Sequence, residues 1–321
     1  MAESPIDLDM KIMEALHIDG RASWQRIARV LNVNERTVAR RGNALLSSGT
    51  VQVVAVSMPA LGHVVAIRCG HGQARMTSRA LSHHEFSHWT HVTTGDSDVV
   101  AEVMVETPLQ SNFLLEDLPA VAGIRDIRTY PVLEYLRLAR WWQLDILSPE
   151  ERRAMSSEAA VSTHQYIGTT ENLPHRDQAL VQLLNRDGRM SYEELGRRTG
   201  TSDVTAKRRV DALRREGVIA IRAVIEPEAI GLGTETLTWL EVPPQHLRTV
   251  TEGIRSSPRI KYASRIAGPW DFLLKNHIQD RAQADSALPD EPWVDHIARM
   301  NISVALRTDK RSMVHTASSV D

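Results

Sequence analysis

The sequence holds a single cysteine, Cys69, in 321 residues. That excludes an intrachain disulfide and any multi-cysteine zinc site, and it suits a reducing compartment. No apolar run approaches the roughly 18 residues that a membrane-spanning helix needs. The acidic, polar N-terminus lacks the features of a secretory signal, so a cytoplasmic location and no membrane partner are expected. Large net charge is missing too: the formal value is −2. A protein that coats nucleic acid without selection would be strongly basic, whereas a locally basic face is compatible with this balance. There is no phosphate-binding glycine loop, nucleophile elbow or zinc-protease helix. Hence no cofactor and no enzymatic activity are expected.

What is present is a repeat. Asp9 to Val51 reads DMKIMEALHIDGRASWQRIARVLNVNERTVARRGNALLSSGTV, and Asp177 to Ile219 reads DQALVQLLNRDGRMSYEELGRRTGTSDVTAKRRVDALRREGVI. The two align without a gap at a constant offset of 168 residues, from Asp9 and Asp177 through Gly20 and Gly188 to Gly49 and Gly217. Two copies at so long a period are duplicated domains, not a solenoid.

Each copy predicts three short helices. Apolar residues recur at helical spacing, Leu8, Ile12 and Leu16 in the first copy and Leu180, Leu183 and Leu184 in the second. Asp-Gly-Arg breaks the chain, with glycine supplying the turn. Ser23 and Ser191 stand at N-cap positions, and Ser191 to Glu194 fits a capping box. After a tight turn, Asn34 and Ser202 cap a third helix that ends at Gly49 or Gly217. Helix, short turn, helix is a DNA-reading plan whose second helix enters the major groove. Candidate readers are therefore Asn34, Glu35, Arg36, Thr37, Arg40 and Arg41 in the first copy. In the second they are Ser202, Asp203, Thr205, Lys207, Arg208 and Arg209. Arginine pairs with guanine edges, and the other basic groups suit phosphates. The plainer alternative, that these cations complement the helix dipole and stay solvated, weakens when the pattern occurs twice.

After each reader the chain predicts a strand, 51–56 and 219–225, and then a body. Between 60 and 138 the order is strand, helix, strand, strand, helix, strand, with strands at 64–69, 86–93, 99–105 and within 124–138 and helices at 73–84 and 108–118. This is the split βαβ, ferredoxin-like plan. The second body repeats it, with strands at 235–242, 259–266, 272–277 and 297–306 and helices at 245–256 and 280–288. The expected fold class is α+β, two copies of a winged helix-turn-helix plus a ferredoxin-like βαββαβ ligand-sensing module. The expected domains are 1–50, 51–138, a 139–175 linker with a capped helix at 147–155, 176–218, 219–310 and a polar tail from 311.

The DGR(A/M)S turn, the strand after the reader, the Gly-x-x-Asp turn and the closing segment 298–308 together resemble the Lrp/AsnC, or feast/famine, regulators. The resemblance covers 7–138 and 176–310. Members ordinarily carry one copy and pair, so this chain resembles a fused tandem that folds as a pseudo-dimer. The resemblance implies a transcriptional regulator whose partners are a double-stranded DNA operator and a small, amino acid-like effector. It further implies assembly into homo-oligomers, dimers or tetramers of pseudo-dimeric chains. Its effector site lies near the Gly-x-x-Asp turn, which carries over to Gly95, Asp98 and Thr129 and to Gly268 and Asp271. Ile302 replaces Thr129 in the second copy, so the two pockets should differ. Read without the resemblance, Gly-x-x-Asp is a hairpin turn whose Asp bonds backbone.

Two other readings share the plan. Siroheme decarboxylases resemble it, and the histidines at 71, 83, 84, 88 and 91 keep that enzyme in view. An architectural DNA-binding protein without an effector is the other. The histidines read best as surface residues, Trp24 as packed on the first helix, and Trp141 and Trp142 as anchors after the last strand.

Overall fold

The computed structural model describes residues 5–57, 62–105, 107–138, 142, 144–156, 173–257, 260–280, 282–283, 288 and 290–316. Its first half gives α1 (Pro5–Ile18), α2 (Trp24–Leu31), α3 (Glu35–Ser47), β1 (Val51–Ser57), β2 (His63–Cys69), α4 (Ala74–His83), β3 (Ser87–Thr93), β4 (Val99–Val103), α5 (Thr107–Asn112), β5 (Ile124–Arg137) and α6 (Pro149–Ser156). Its second half gives α7 (His175–Arg186), α8 (Tyr192–Thr199), α9 (Asp203–Arg215), β6 (Ile219–Ile225), β7 (Thr234–Glu241), α10 (Leu247–Ser256), β8 (Tyr262–Ile266), β9 (Phe272–Ile278), β10 (Arg299–Arg311) and β11 (Val314–His315). The chain divides into two units, Met1–Pro59 with Gln143–Ala229 and Ala60–Trp142 with Ile230–Asp321. Strands β1 and β6 therefore belong with the helices and not at the head of the bodies.

In the first unit the expected caps form. Ser23 accepts from the Arg26 N–H, Asn34 from Arg36, Ser191 from Glu194 and Ser202 from Thr205. Each satisfies a helix-start donor that would otherwise lack an intrahelical partner. Ile12, Leu16, Ile27 and Val38 are fully buried in one copy, as are Leu184, Leu195, Val210 and Leu213 in the other.

The copies then exchange parts. β1 pairs antiparallel with β6, Val54 opposite Arg222. The Gly20 N–H donates to Ile221 O at 2.9 Å, and the Gly188 N–H to Val53 O at 2.7 Å. Arg21 reaches the carbonyls of Gly188 and Met190 and lies over Tyr192. Arg189 returns the favour to Gly20 and Ala22 and lies over Trp24. This changes the reason for glycine in the Asp-Gly-Arg turn. Neither Gly20 nor Gly188 has a positive φ. A Cβ at Gly20 would instead stand 3.0 Å from Ile221 O, so the glycine serves the close approach of the second copy's strand. Trp24 packs over Gly42 of α3, where a Cβ would come within 2.4 Å of the indole.

The capped linker helix forms at Pro149–Ser156 and docks on the first copy, which the sequence did not indicate. Buried Glu14 accepts from the Ile146 and Leu147 N–H groups and from Arg152. The rest of the expected linker, 157–172, lies outside the described residues.

In the second unit each half folds into a four-stranded sheet with helices on one face, and the two sheets join edge to edge. The order β10-β3-β4-β2-β5-β8-β9-β7 returns to β10, so eight strands close a barrel. Strands β5 and β10 make the closure, because each serves both sheets. Residues 124–131 pair with β2, and 132–137 continue onto β8 of the other copy. Residues 299–304 pair with β7, and 305–310 continue onto β3. Helix-side cores centre on Val65, Ile67, Leu81 and Phe113 in one copy and on Leu240, Ile254, Phe272 and Trp293 in the other.

Two sequence expectations change here. The second helix of the first body narrows to Thr107–Asn112 and continues as a π turn through Asp117. The polar tail expected from 311 is structured through 316, since β10 runs to Arg311 and turns at Ser312 and Met313 into β11. The helix expected at 280–288 falls largely outside the described residues.

Replacing Arg189 with Ala removes bonds to two backbone carbonyls of the other copy and uncovers Trp24. Buried carbonyls left unpaired cost about 1–3 kcal/mol. A matching drop in urea-unfolding stability is expected for Arg189→Ala, against about 0.5 kcal/mol or less for the exposed Arg186→Ala on α7.

Candidate nucleic-acid interface and barrel interior

The third helix of each copy presents its polar side to solvent. Glu35, Arg36 and Arg40 of α3 are exposed, as are Asp203, Lys207 and Arg208 of α9, while Thr37 and Thr205 are half-buried. Asn34 and Ser202 are also exposed, but their side-chain oxygens are engaged as caps, and Ser202 bonds Thr205 Oγ1 as well. Lys207 pairs along its own helix with Asp211 at 2.7 Å, an exposed i,i+4 bridge of small value. Two expected readers, Arg41 and Arg209, are held in ion pairs within their own copy. Arg41 grips Asp9 through Nε and Nη2 at 2.6 and 2.7 Å. Arg209 grips Asp177 in the same way, with Nε at 3.0 Å. Asp9 and Asp177 are equivalent residues on the first helices, so these arginines clamp reader helix to first helix inside each copy.

Both Gly-x-x-Asp segments form hairpin turns. Gly95 has φ +91 and Gly268 φ +145, which favours glycine at both. Neither Asp is left to a ligand alone. Asp98 Oδ2 accepts from the Cys69 N–H and Asp271 Oδ2 from the Val242 N–H, both at 2.8 Å, so each ties its hairpin to a neighbouring strand end. The exchange of closing strands also moves the partners. The Gly95 turn rests on β10, where the Thr94 N–H donates to Val304 O. The Gly268 turn rests on β5, where the Ala267 N–H donates to Pro131 O and Tyr130 lies against the glycine. Exposed Thr129 thus neighbours the turn of the other copy, not its own.

The barrel interior holds the group that the sequence reading missed. Glu235 sits among His91, His277, Lys275 and Arg311, at 3.7, 3.8, 3.9 and 3.2 Å. All five are buried or nearly so. Burial alone would raise the Glu235 carboxyl, but its four cationic or polar neighbours outweigh that and hold it well below the usual carboxylate range. Lys275 lies 3.8 Å over the Trp89 ring, and burial pushes its amine down to about 8 against the pull of Glu235 and Glu102. Glu102 accepts from the Tyr262 hydroxyl at 2.7 Å, and burial raises its pKa.

His91, expected at the surface, is fully buried, and burial pushes it down to about 3. It is therefore neutral. Since Lys275 donates to Nε2 at 3.3 Å, the proton lies on Nδ1, which donates to Thr308 Oγ1 at 2.9 Å. His277 is lowered by burial and by Lys261, which donates to its Nε2. Trp142 lies over Lys261 at 4.7 Å, so it anchors the barrel as expected, while Trp141 is outside the described residues. The missed signal was Lys275 and His277, two apart near the end of the buried strand β9. Period two puts both on one face. Among the described residues no group of three or more His, Cys, Asp or Glu is arranged to hold a metal.

A family described as the AsnC-type helix-turn-helix domain matches residues 7–46 and again 176–214. The chain carries the AsnC-type helix-turn-helix domain twice, in tandem. An uncharacterised helix-turn-helix regulator of Pyrococcus abyssi is 32% identical over 105 residues, which is 32% of this chain and 66% of that relative, just short of two thirds of its length. The proline dehydrogenase transcriptional activator of Rhizobium radiobacter is 29% identical over 115 residues, 35% of this chain and 74% of the relative. The fold of the chain is that of the siroheme decarboxylase NirDL, with TM-score 0.60 at 12% identity over 97% of this chain and 94% of that one.

The barrel histidines shape the acid behaviour of the chain. His91 and His277 stay neutral when folded but take up protons near 6.5 when unfolded. The unfolded state then binds more protons, so stability falls as pH drops below 6.5. Two such groups lower unfolding free energy by about 2–2.5 kcal/mol between pH 6 and pH 5. Urea titrations at the two values check this, and His91→Gln should remove about half of the slope.

Proposed function

We propose that the chain is a sequence-specific DNA-binding transcription regulator that reads two unlike half-sites with one polypeptide. The observation that carries the reading is the pair of solvent-facing third helices, each capped, basic and clamped to its own first helix. Arg36 and Arg40 on α3 and Lys207 and Arg208 on α9 are assigned to bases and phosphates. Arg41 and Arg209 are assigned to holding the readers in place. The two faces differ, Glu35-Arg36-Thr37 against Asp203-Val204-Thr205, so the operator is an imperfect palindrome. Phosphate contacts make binding fall with added salt.

A small-molecule effector belongs to the proposal as well. The turns at Gly95–Asp98 and Gly268–Asp271, each seated against the other copy's closing strand, are its assigned sites. Their surroundings differ, Ser303 and Asn301 beside one and Tyr130 and Thr129 beside the other, so the two would select different ligands. A thermal-shift screen across amino acids tests this, because a ligand that binds only the folded state raises apparent stability.

A siroheme decarboxylase-like enzyme is the second reading, supported by the shared fold and by the cations in the barrel. Against it, Lys275 and Arg311 already face the Glu235 carboxylate and are sealed from solvent. Anaerobic mixing with siroheme separates the readings: a spectral shift with loss of carboxyl groups favours the enzyme.

Arg40→Ala is expected to weaken protection at one half-site only, by about 1–3 kcal/mol if it reads a base. Arg41→Ala is expected to lower thermal stability instead, through loss of the Asp9 clamp. Footprinting and melting of both variants check the division of labour. Equal loss at both half-sites for Arg40→Ala would refute unlike readers.

A further inference from the structure

The two closing strands leave unequal edges. On β5, Pro131 C=O and the Val132 N–H point to opposite sides, toward Ala267 and toward Gly62 beside β2. Alternation along the strand then turns the N–H and C=O groups of Arg125, Ile127 and Thr129 away from β2. Among the described residues nothing bonds to them, since β8 joins only from Val132 onward. On β10 the Gly95 turn adds side-chain bonds that, among the described residues, the Gly268 turn lacks on β5. There Val304 both donates to Thr94 Oγ1 and accepts from the Thr94 N–H, and Asn301 bonds Asp96. Proline at 131 denies β5 the first of these bonds.

The open edge reads Arg125-Asp126-Ile127-Arg128-Thr129, with opposite charges at 126 and 128 on either side of Ile127. Asp126 and Arg128 are more than half exposed and only 3.8 Å apart in a weak pair along the strand. We propose that this edge binds the same edge of a second copy of the chain, antiparallel about Ile127. In that register Ile127 faces Ile127 as a hydrogen-bonded pair, and Arg125 faces Thr129 on either side. About six backbone hydrogen bonds form. Asp126 of each copy then lies directly across from Arg128 of the other, with Cβ atoms about 4.5–5.5 Å apart. Centring the pairing on 126 or 128 instead would set like charges opposite one another, so charge fixes the register. The contact is self-complementary and each chain offers one such edge, so assembly stops at two chains. Two chains so joined carry four reader helices. The inference concerns the barrel unit alone and stands whether or not those helices read DNA.

Sedimentation velocity on the full chain, over a concentration series at low and high salt, tests it. A two-chain species that weakens with salt is expected. Asp126→Arg and Arg128→Asp each place like charges across the junction twice and should weaken association by about tenfold. The double variant Asp126→Arg with Arg128→Asp restores opposite charges and should recover the wild-type constant. A chain that stays single throughout, a species larger than two, single variants that associate as wild type does, or a double variant that fails to recover would each overturn the proposal.

Discussion

The structure depends on reciprocal exchange between its two halves. In the first unit each copy's Asp-Gly-Arg turn donates a glycine N–H to the other copy's strand and sends an arginine into the other copy's turn. In the second unit each closing strand begins in its own sheet and ends in the other's. Backbone groups buried without partners are costly, and here the partners come from the opposite half. Neither half can satisfy its own edges, which is why the repeat has to be read as one interlocked molecule.

Duplication supplies the symmetry, and divergence breaks it where chemistry matters. At the 173-residue offset of the bodies, Lys275 takes the place of Glu102, Ser264 that of His91, and Glu235 that of Gly62. The charged cluster is therefore assembled once, mostly from the second copy, with His91 lent by the first. Removing one member of such a buried ionic group strands the others, at about 3–5 kcal/mol. A cluster of this kind holds the barrel to one closure while contributing less to net stability than its number of contacts suggests. The third helices diverge too, with basic and apolar residues exchanged, Arg36 for Val204 and Ala39 for Lys207, around a shared Thr and a shared pair of arginines, which suits two unlike half-sites.

Much of this was legible in the sequence because local rules govern it. Serine and asparagine caps, helical spacing of leucines and alternating strands fix the helix-turn-helix and the βαββαβ order without reference to distant residues. What was not legible is long-range. Gly20 looked like a turn former, because its real constraint, the approach of Ile221, lies some 200 residues away in the chain. The Arg41 clamp was not visible because nothing near it in sequence announces Asp9 as its partner. His91 looked exposed because burial inside a closed barrel depends on β10 arriving from the second copy. The Gly-x-x-Asp turns were found, but the strand exchange that sets Thr129 beside the opposite turn was not.

The exchange can be tested by cutting the chain. A protease site placed between 157 and 172, followed by cleavage of the folded protein and size-exclusion chromatography without denaturant, reads directly whether the halves need each other. The two fragments are expected to stay together and elute as the uncut chain does, separating only in denaturant. Fragments that part as independently folded halves under native conditions would contradict the interlocked molecule described here.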